Sequence, residues 1–381
     1  MGVLMSRTGI ANLPLHGGRA PAWLFQRMKL LAREIVILIV DEMGPQEMLR
    51  RLSDPFWFRS FGCVLGFDWH SSGVTTTVCG AVKEGIRGLE KDLGLYAAGG
   101  KGRVSRMTPQ EIETHCNRTS LDPSRLVYAS RMAAKVDSAA VQDGYQLYHH
   151  VFFFTQAGEW SIVQQGMNPE TRYARRYHWL DREDHSFVCE PHLAVCCERR
   201  QEGLNMVAAE SHQSREVSSS LAREAPDRLV RELKKAQTLT LPSHHDVRPE
   251  DFDTNRLHKI LIKAHECQPQ HFEALLGLEG VGAKTIRAIS LVAELVYGVQ
   301  PSYRDPARFS FAHGGKDGHP YPVDRESYDR SIELVQQAIQ RAKIGQKAKL
   351  DALRRLGRFL VEYRHDAVRS LEDRKRSAPK T

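Results

Sequence analysis

The stretch LLGLEGVGAKTIRAISLVAELVY, residues 275–297, decides how the carboxy-terminal part of the chain is read. A helix ends near Leu276, a tight turn follows, and a second helix begins near Ala283. The turn is Leu278-Glu279-Gly280-Val281-Gly282, with two glycines flanking one valine. Glycine tolerates a positive φ and lets a second backbone come close. In the second helix Ile286, Ile289, Val292, Ala293 and Val296 fall on one face, the stripe that an α-helix buries. The amides that open such a helix have no intrahelical acceptor, and with the helix dipole they form a seat for a phosphate. An ordinary αα-hairpin with a glycine corner has the same outline.

With its G-V-G and the Ile/Ala positions that follow, this stretch resembles the helix-hairpin-helix motif of DNA-repair and DNA-processing proteins. The resemblance implies that Gly280, Val281, Gly282, Ala283, Lys284 and Thr285 meet the DNA backbone, a contact that positions a protein without reading sequence. In helix-hairpin-helix glycosylases with lyase activity, a lysine at the place of Lys284 forms a Schiff base with the sugar of a damaged nucleotide. An aspartate follows in that family. Here Val323-Asp324 comes 40 residues after Lys284, Asp305 comes 21 residues after it in an Arg-Asp-Pro turn, and Leu278-Glu279 lacks the family's proline. A phosphate contact is the simpler role for Lys284. The glycosylase/lyase is the alternative, and a DNA-binding protein without catalysis is a third reading.

The 381 residues suffice for two or three domains with a real core. No run of 18 apolar residues is present, so no membrane segment is expected. Residues 1–14 contain no long apolar stretch, which predicts no secretory signal; Met5 is an alternative first residue. Seven cysteines form no C-x-x-C pair, so reduced thiols and a cytoplasmic location are expected. The net charge of +8 is concentrated: residues 341–381 hold 13 Lys/Arg against 5 Asp/Glu, and the remainder is neutral. Arg354 and Arg355, in an expected last helix over 345–369, are therefore candidate DNA contacts. A solvated basic helix with a frayed tail has the same composition.

Read in order, residues 22–41 and 45–52 form two helices, with Leu24, Met28, Leu31 and Ile35 along the apolar face of the first. Residues 61–67 read as a buried strand delivering Asp68-Trp69-His70-Ser71-Ser72-Gly73 to a loop, after which Thr75 or Thr76 caps a helix to residue 93. Polar and aromatic residues at a strand-to-helix junction are where α/β folds place sites. Gly99-Gly100-Lys101-Gly102-Arg103 reads as a small loop. Residues 145–155 and 160–165 form a β-hairpin, with Tyr145, Leu147, His149, Val151 and Phe153 on one face by alternation. Residues 208–251 read as an interdomain connector with one amphipathic helix over 225–238. The expected fold is α+β: a mixed α/β domain over 1–207, the connector, an all-α domain over 252–369, and a disordered basic tail over 370–381. Within the second domain, the glycine-rich insert His313-Gly314-Gly315-Lys316-Asp317-Gly318-His319 is expected to be functional.

The amino-terminal half supplies the residues for chemistry. Asp68, His70, Asp137, Asp143 and His149 are the candidate catalytic residues, and Asp68, His70, Asp143 and His150 the candidate ligands of a divalent metal, Mg²⁺ or Mn²⁺. Such an ion polarises a phosphodiester and activates water. Lys101, Lys135, Arg175 and Arg176 are candidate phosphate clamps. The set points to a metal-dependent nuclease in DNA repair or processing. For each histidine alone, a hydrogen-bonded core role is the competing reading. The strings DPFWF, LGFDWHSSGVTT, AKVDSAAVQDGYQLYHH, QQGMN and ARRYHW resemble an uncharacterised prokaryotic family known by its domain-of-unknown-function number, 763. That resemblance covers most of the chain to about residue 340 and implies no particular activity.

Overall fold

The computed structural model describes residues 20–67, 73–183, 186–197, 200–236 and 254–307, with isolated positions between 337 and 354. Four helices come first: α1 (Ala22–Met43), α2 (Pro45–Ser53), α3 (Pro55–Leu65) and α4 (Gly73–Gly85). A single turn, α5 (Glu90–Leu93), leads into β1 (Leu95–Lys101), and α6 (Thr108–Cys116) and α7 (Pro123–Lys135) follow. The end of α7 widens into a π-helical turn, Val136–Ala140. Then come β2 (Val141–Gln142), β3 (Gln146–Thr155), β4 (Trp160–Met167), β5 (Ala174–Leu180), β6 (Ala194–Cys196) and β7 (Leu204–Asn205). The described chain closes with α8 (His212–Arg223), α9 (Pro226–Ala236), α10 (Thr254–Cys267), α11 (Phe272–Gly277) and α12 (Ala283–Tyr297).

The class is α+β. β1, β3, β4, β5 and β6 form one antiparallel sheet in that order, and β2 pairs with β7. Both faces of the large sheet are covered. Leu95, Ala97, Val151, Phe153 and Val163 pack against α1 to α4. Tyr96, Ala98, Phe152, Phe154, Ile162, Tyr177 and Trp179 share one core with residues of α6 to α12. The β3–β4 hairpin expected from the sequence is present, but a bulge between Leu147 and His149 changes its alternation. His149 keeps the register of Val151 and Phe153, whereas Tyr145 and Leu147 join the core on the opposite face.

Three expectations need correction. Residues 55–65 are helical, not part of a strand, because Asp54-Pro55 is a helix start. The Asp54 carboxylate accepts from the amides of Phe56 at 2.7 Å and Trp57 at 3.0 Å. Gly66, at φ +104°, ends the helix. Residues 95–101 are an edge strand instead of a glycine loop. A Cβ on Gly99 would collide with the His150 carbonyl and the Thr108 hydroxyl, so the glycine permits a close backbone approach. Residues 208–236 are not a linker: α8 buries Ser214, Arg215, Ser218, Ser219, Leu221 and Ala222 and packs on α12. Serines read as linker residues here are small side chains at a helix–helix contact. Buried residues of α8 to α12 share a core with the sheet.

Residues 308–336 and 355–381 lie outside the described residues, and with them Asp324, the glycine-rich insert, Arg355, most of the expected last helix and the expected disordered tail.

Neutral buried histidines make the fold acid-sensitive. Burial pushes the His149 imidazole down to about 3 and also depresses His150 and His178. Folded pKa values below that of the unfolded chain mean that the unfolded state binds more protons. Stability is therefore complete above pH 6.5 and is lost as pH falls. For His149 the loss is about 1.4 kcal/mol per pH unit between about pH 6 and pH 4, and His150 and His178 add to it in the same direction. Urea midpoints measured from pH 7 to pH 4 should fall steadily, and less steeply for His149→Leu; a flat profile would contradict this.

Candidate functional site

Among the described residues, the expected catalytic candidates Asp137, Asp143 and His149 do not come together as one group. Asp68 and His70 lie outside the described residues. His149 is 1% exposed on the face of Val151, and neither ring nitrogen has a hydrogen-bond partner among the described residues. Asp143 sits on the other face, where Arg175 Nη1 and the Tyr177 hydroxyl donate to its Oδ2 at 2.6 and 2.8 Å. The Tyr145 amide donates to its Oδ1 at 3.1 Å. Burial lifts the Asp143 carboxyl above its ordinary value, and Arg175 pulls it back. Arg175 also reaches Asp305 at 2.6 Å, which ties the segment after α12 to the sheet. Burial works against the Arg175 charge, yet its anionic neighbours, Asp143 first, hold its pKa well above normal. Asp143, Arg175 and Asp305 are thus a buried ion network, not a metal site with a phosphate clamp.

The other two described clamp candidates with a positive charge in the interior are also engaged elsewhere. Arg176 is fully buried on the α1–α4 side, with Nε donating to His178 at 2.7 Å and the guanidinium over the Phe58 ring. Lys135 donates to the carbonyls of Leu276, at 2.8 Å, Val281, at 3.1 Å, and Leu278. Burial lowers its pKa. Lys101 stays exposed at the end of β1, its ammonium 5.7 Å from the Tyr148 ring centre.

The structure assembles a different constellation around Asp137. The π-helical turn delivers this carboxylate, fully buried, onto the sheet. Its Oδ2 accepts from Gln164 Nε2 at 2.6 Å and Trp179 Nε1 at 2.9 Å, and Oδ1 faces His192 Nε2 at 2.5 Å. Gln164 also donates to the Ala133 carbonyl at 3.3 Å. Its Oε1 lies 2.8 Å from His150 Nδ1, and His150 Nε2 lies 2.9 Å from Ser130 Oγ. Ser130, Ala133 and Asp137 stand at i, i+3 and i+7 along α7 and its extension, on the face turned to the sheet. Ser130, His150 and Gln164 line a cavity of about 780 Å³ that also touches Arg106, Arg131 and Lys135. The sequence contained Asp137 and His150 as candidates. Ser130, Gln164, Trp179 and His192 were not visible in it, because β4, β5 and the loop before β6 bring them together from distant positions.

Beside this cavity, whose wall includes Gly277, lies the α11–α12 hairpin. Its helices form at 272–277 and 283–297, close to the sequence reading. Gly280 adopts φ +86°. Val281 is buried under the turn, and a Cβ on Gly282 would meet nothing within 4 Å. Lys284 is exposed. Thr285 is buried, which removes its side chain from the candidate contacts, and Arg354 is exposed. Glu279, the carboxylate in the turn, is ion-paired to Lys263 at 2.7 Å. Among the described residues no group of three His, Cys, Asp or Glu is placed to hold a metal ion. Of the expected ligands, Asp143 and His150 are hydrogen-bonded to protein groups, and Asp68 and His70 lie outside the described residues.

The buried ion network yields a direct test. Asp143→Asn should lower stability by roughly 3–5 kcal/mol, because it leaves the Arg175 charge under-compensated in the interior. Urea unfolding measures this; a variant as stable as the parent would remove the network from the account of the fold.

Comparison with known proteins adds one relation. No curated protein and no solved structure matches the chain. Residues 9–323 match a single family model, and on that extent the chain belongs to the family described as Protein of unknown function (DUF763).

Proposed function

We propose that this protein binds the DNA backbone through the α11–α12 turn and acts on phosphodiester bonds as a nuclease in DNA repair or processing. The observation that carries the reading is the way the turn is built. Lys135 binds two of its carbonyls, Leu278 and Val281, and that of Leu276 in α11 from below. The amides that open α12 are those an α-helix leaves without an intrahelical acceptor, and the space over Gly282 is open. The helix dipole and the Lys135 ammonium together make the turn favourable for an anion. Lys284 stands exposed at the same helix start, where it can contact a phosphate. The Lys263–Glu279 pair offsets the acidic charge of the turn.

A divalent cation, Mg²⁺ or Mn²⁺, belongs to the nuclease reading, with Asp68, His70, Asp143 and His150 as its candidate ligands. The glycosylase/lyase alternative gains nothing from the exposed Lys284.

Backbone binding predicts a strong salt dependence. With five phosphate contacts, log K against log salt should have a slope of about −4 to −5, the same for unrelated duplex sequences. Lys284→Glu should weaken binding at every sequence and make the slope shallower by about one unit. Fluorescence anisotropy with labelled duplexes between 50 and 200 mM salt, values on the order of those used for such proteins, measures both. Cleavage of end-labelled single-stranded, duplex and abasic oligonucleotides with Mg²⁺, Mn²⁺ or EDTA tests the nuclease. An affinity independent of salt would rule out the backbone as the ligand.

A further inference from the structure

We propose that Ser130 and His150 form a nucleophile–base pair at the floor of the cavity beside the hairpin, acting on a phosphoester held there. The hydrogen-bond chain behind Ser130 has only one consistent direction. The Trp179 indole N–H can only donate, so Asp137 Oδ2 is an acceptor. The Ala133 carbonyl is an acceptor as well. Both lie on the nitrogen side of the Gln164 amide, which leaves Oε1 to face His150. His150 must then carry its proton on Nδ1 and present a bare Nε2. Among the described residues the group at that nitrogen is the Ser130 hydroxyl, 2.9 Å away, which therefore donates. A serine whose proton is directed onto an imidazole, itself oriented by a third group, is the arrangement that activates a hydroxyl nucleophile. Burial favours the neutral imidazole that a base needs. Gln164 is a positioning residue, and Asp137 fixes it.

The cavity indicates the substrate class. Arg106 and Arg131 line it and are exposed, and neither is ion-paired among the described residues. Lys135 contributes a third positive charge, and Glu113 is the one carboxylate in the lining. A phosphate ester matches that balance better than a neutral carboxylic ester. A nucleic-acid strand on the neighbouring hairpin would supply it, so the source of the ester rests on the reading above.

The step balances without a redox partner. Ser130 Oγ bonds to phosphorus while the bond from phosphorus to the leaving ester oxygen breaks. The serine proton passes to His150 Nε2 and then to the leaving oxygen. Water then attacks the phosphorus of the seryl ester, which still carries the second ester group of the substrate; the water's proton moves through His150 to Ser130 Oγ, and a phosphate monoester is released.

The test uses the intact protein with a fluorophosphonate probe and bis(p-nitrophenyl) phosphate. The expected result is a phosphonyl adduct mapped by peptide mass to Ser130. Nitrophenol release from the diester should fall at least 100-fold in Ser130→Ala and in His150→Asn. The adduct rate should hold its plateau below pH 6.5, since the base stays neutral there; a purely structural serine has no such profile. Absence of the adduct on folded wild-type protein, or an adduct elsewhere, overturns the pair. Turnover of p-nitrophenyl acetate with none of the diester overturns the substrate class. Oligonucleotide binding is measured on the same wild-type sample. Binding without an adduct sinks the pair and leaves the hairpin; an adduct without binding sinks the hairpin and leaves the pair.

Discussion

A carboxylate sealed inside a protein has to be met by donors, and Asp137 is met by three from three different elements. Gln164 comes from β4, Trp179 from β5 and His192 from the loop before β6. Leaving such a group unpaired would cost several kcal/mol, of the order of 3–5 for a charge stripped of its partner. The three donors therefore fix the strands relative to α7 more sharply than apolar packing alone can. The same bonds decide which way the Gln164 amide points, and through it which nitrogen of His150 is bare. Structural satisfaction and chemical poise are here one set of hydrogen bonds.

The other end of the same segment holds the hairpin. Lys135, two residues before Asp137, leaves α7 in a different direction and takes the carbonyls of the α11–α12 turn. Gln142 continues the attachment, donating to the Ala283 carbonyl at 2.9 Å and accepting from Arg287 at 2.6 Å. The π-helical turn makes this divergence possible: an extra residue in the turn rotates Asp137 onto the sheet while Lys135 still faces the hairpin. α7 is thus the shared wall of the cavity and the support of the turn.

Local chemistry was legible in the sequence, and long-range association was not. The α12 stripe of Ile286, Ile289, Val292 and Ala293 and the β3–β4 hairpin follow from periodicity, and the structure buries them accordingly. Val296, assigned to the same stripe, is 45% exposed because it lies in the last turn, beyond the packed part of the helix. The strand expected over 61–67 failed because apolar content outweighed the Asp54-Pro55 start signal, which lay seven residues upstream of the run. The glycines of β1 were taken as a turn because close backbone approach has no signature in one sequence. Asp137, Asp143 and the two histidines are candidates for chemistry in the sequence. Their partition between a hydrogen-bonded relay, an ion network and the opposite sheet face depends on register and one bulge, neither of which composition reveals.

Lys135 gives the arrangement a consequence of its own. Its ammonium lines the cavity and at the same time neutralises the inward carbonyls of the turn. An anion seated on the turn draws on the field of that ammonium, and an anion inside the cavity draws on it too. On the proposed reading, one half-buried charge between two anion sites favours a single ligand that spans both over two that compete. Under the proposed function, a polyanionic strand meets this condition. Consecutive phosphates of a nucleic-acid strand are joined by a short covalent link, so the second contact needs little further ordering once the first is made. The placement of Lys135 thus accounts for why a backbone grip and a phosphoester cavity would share a wall.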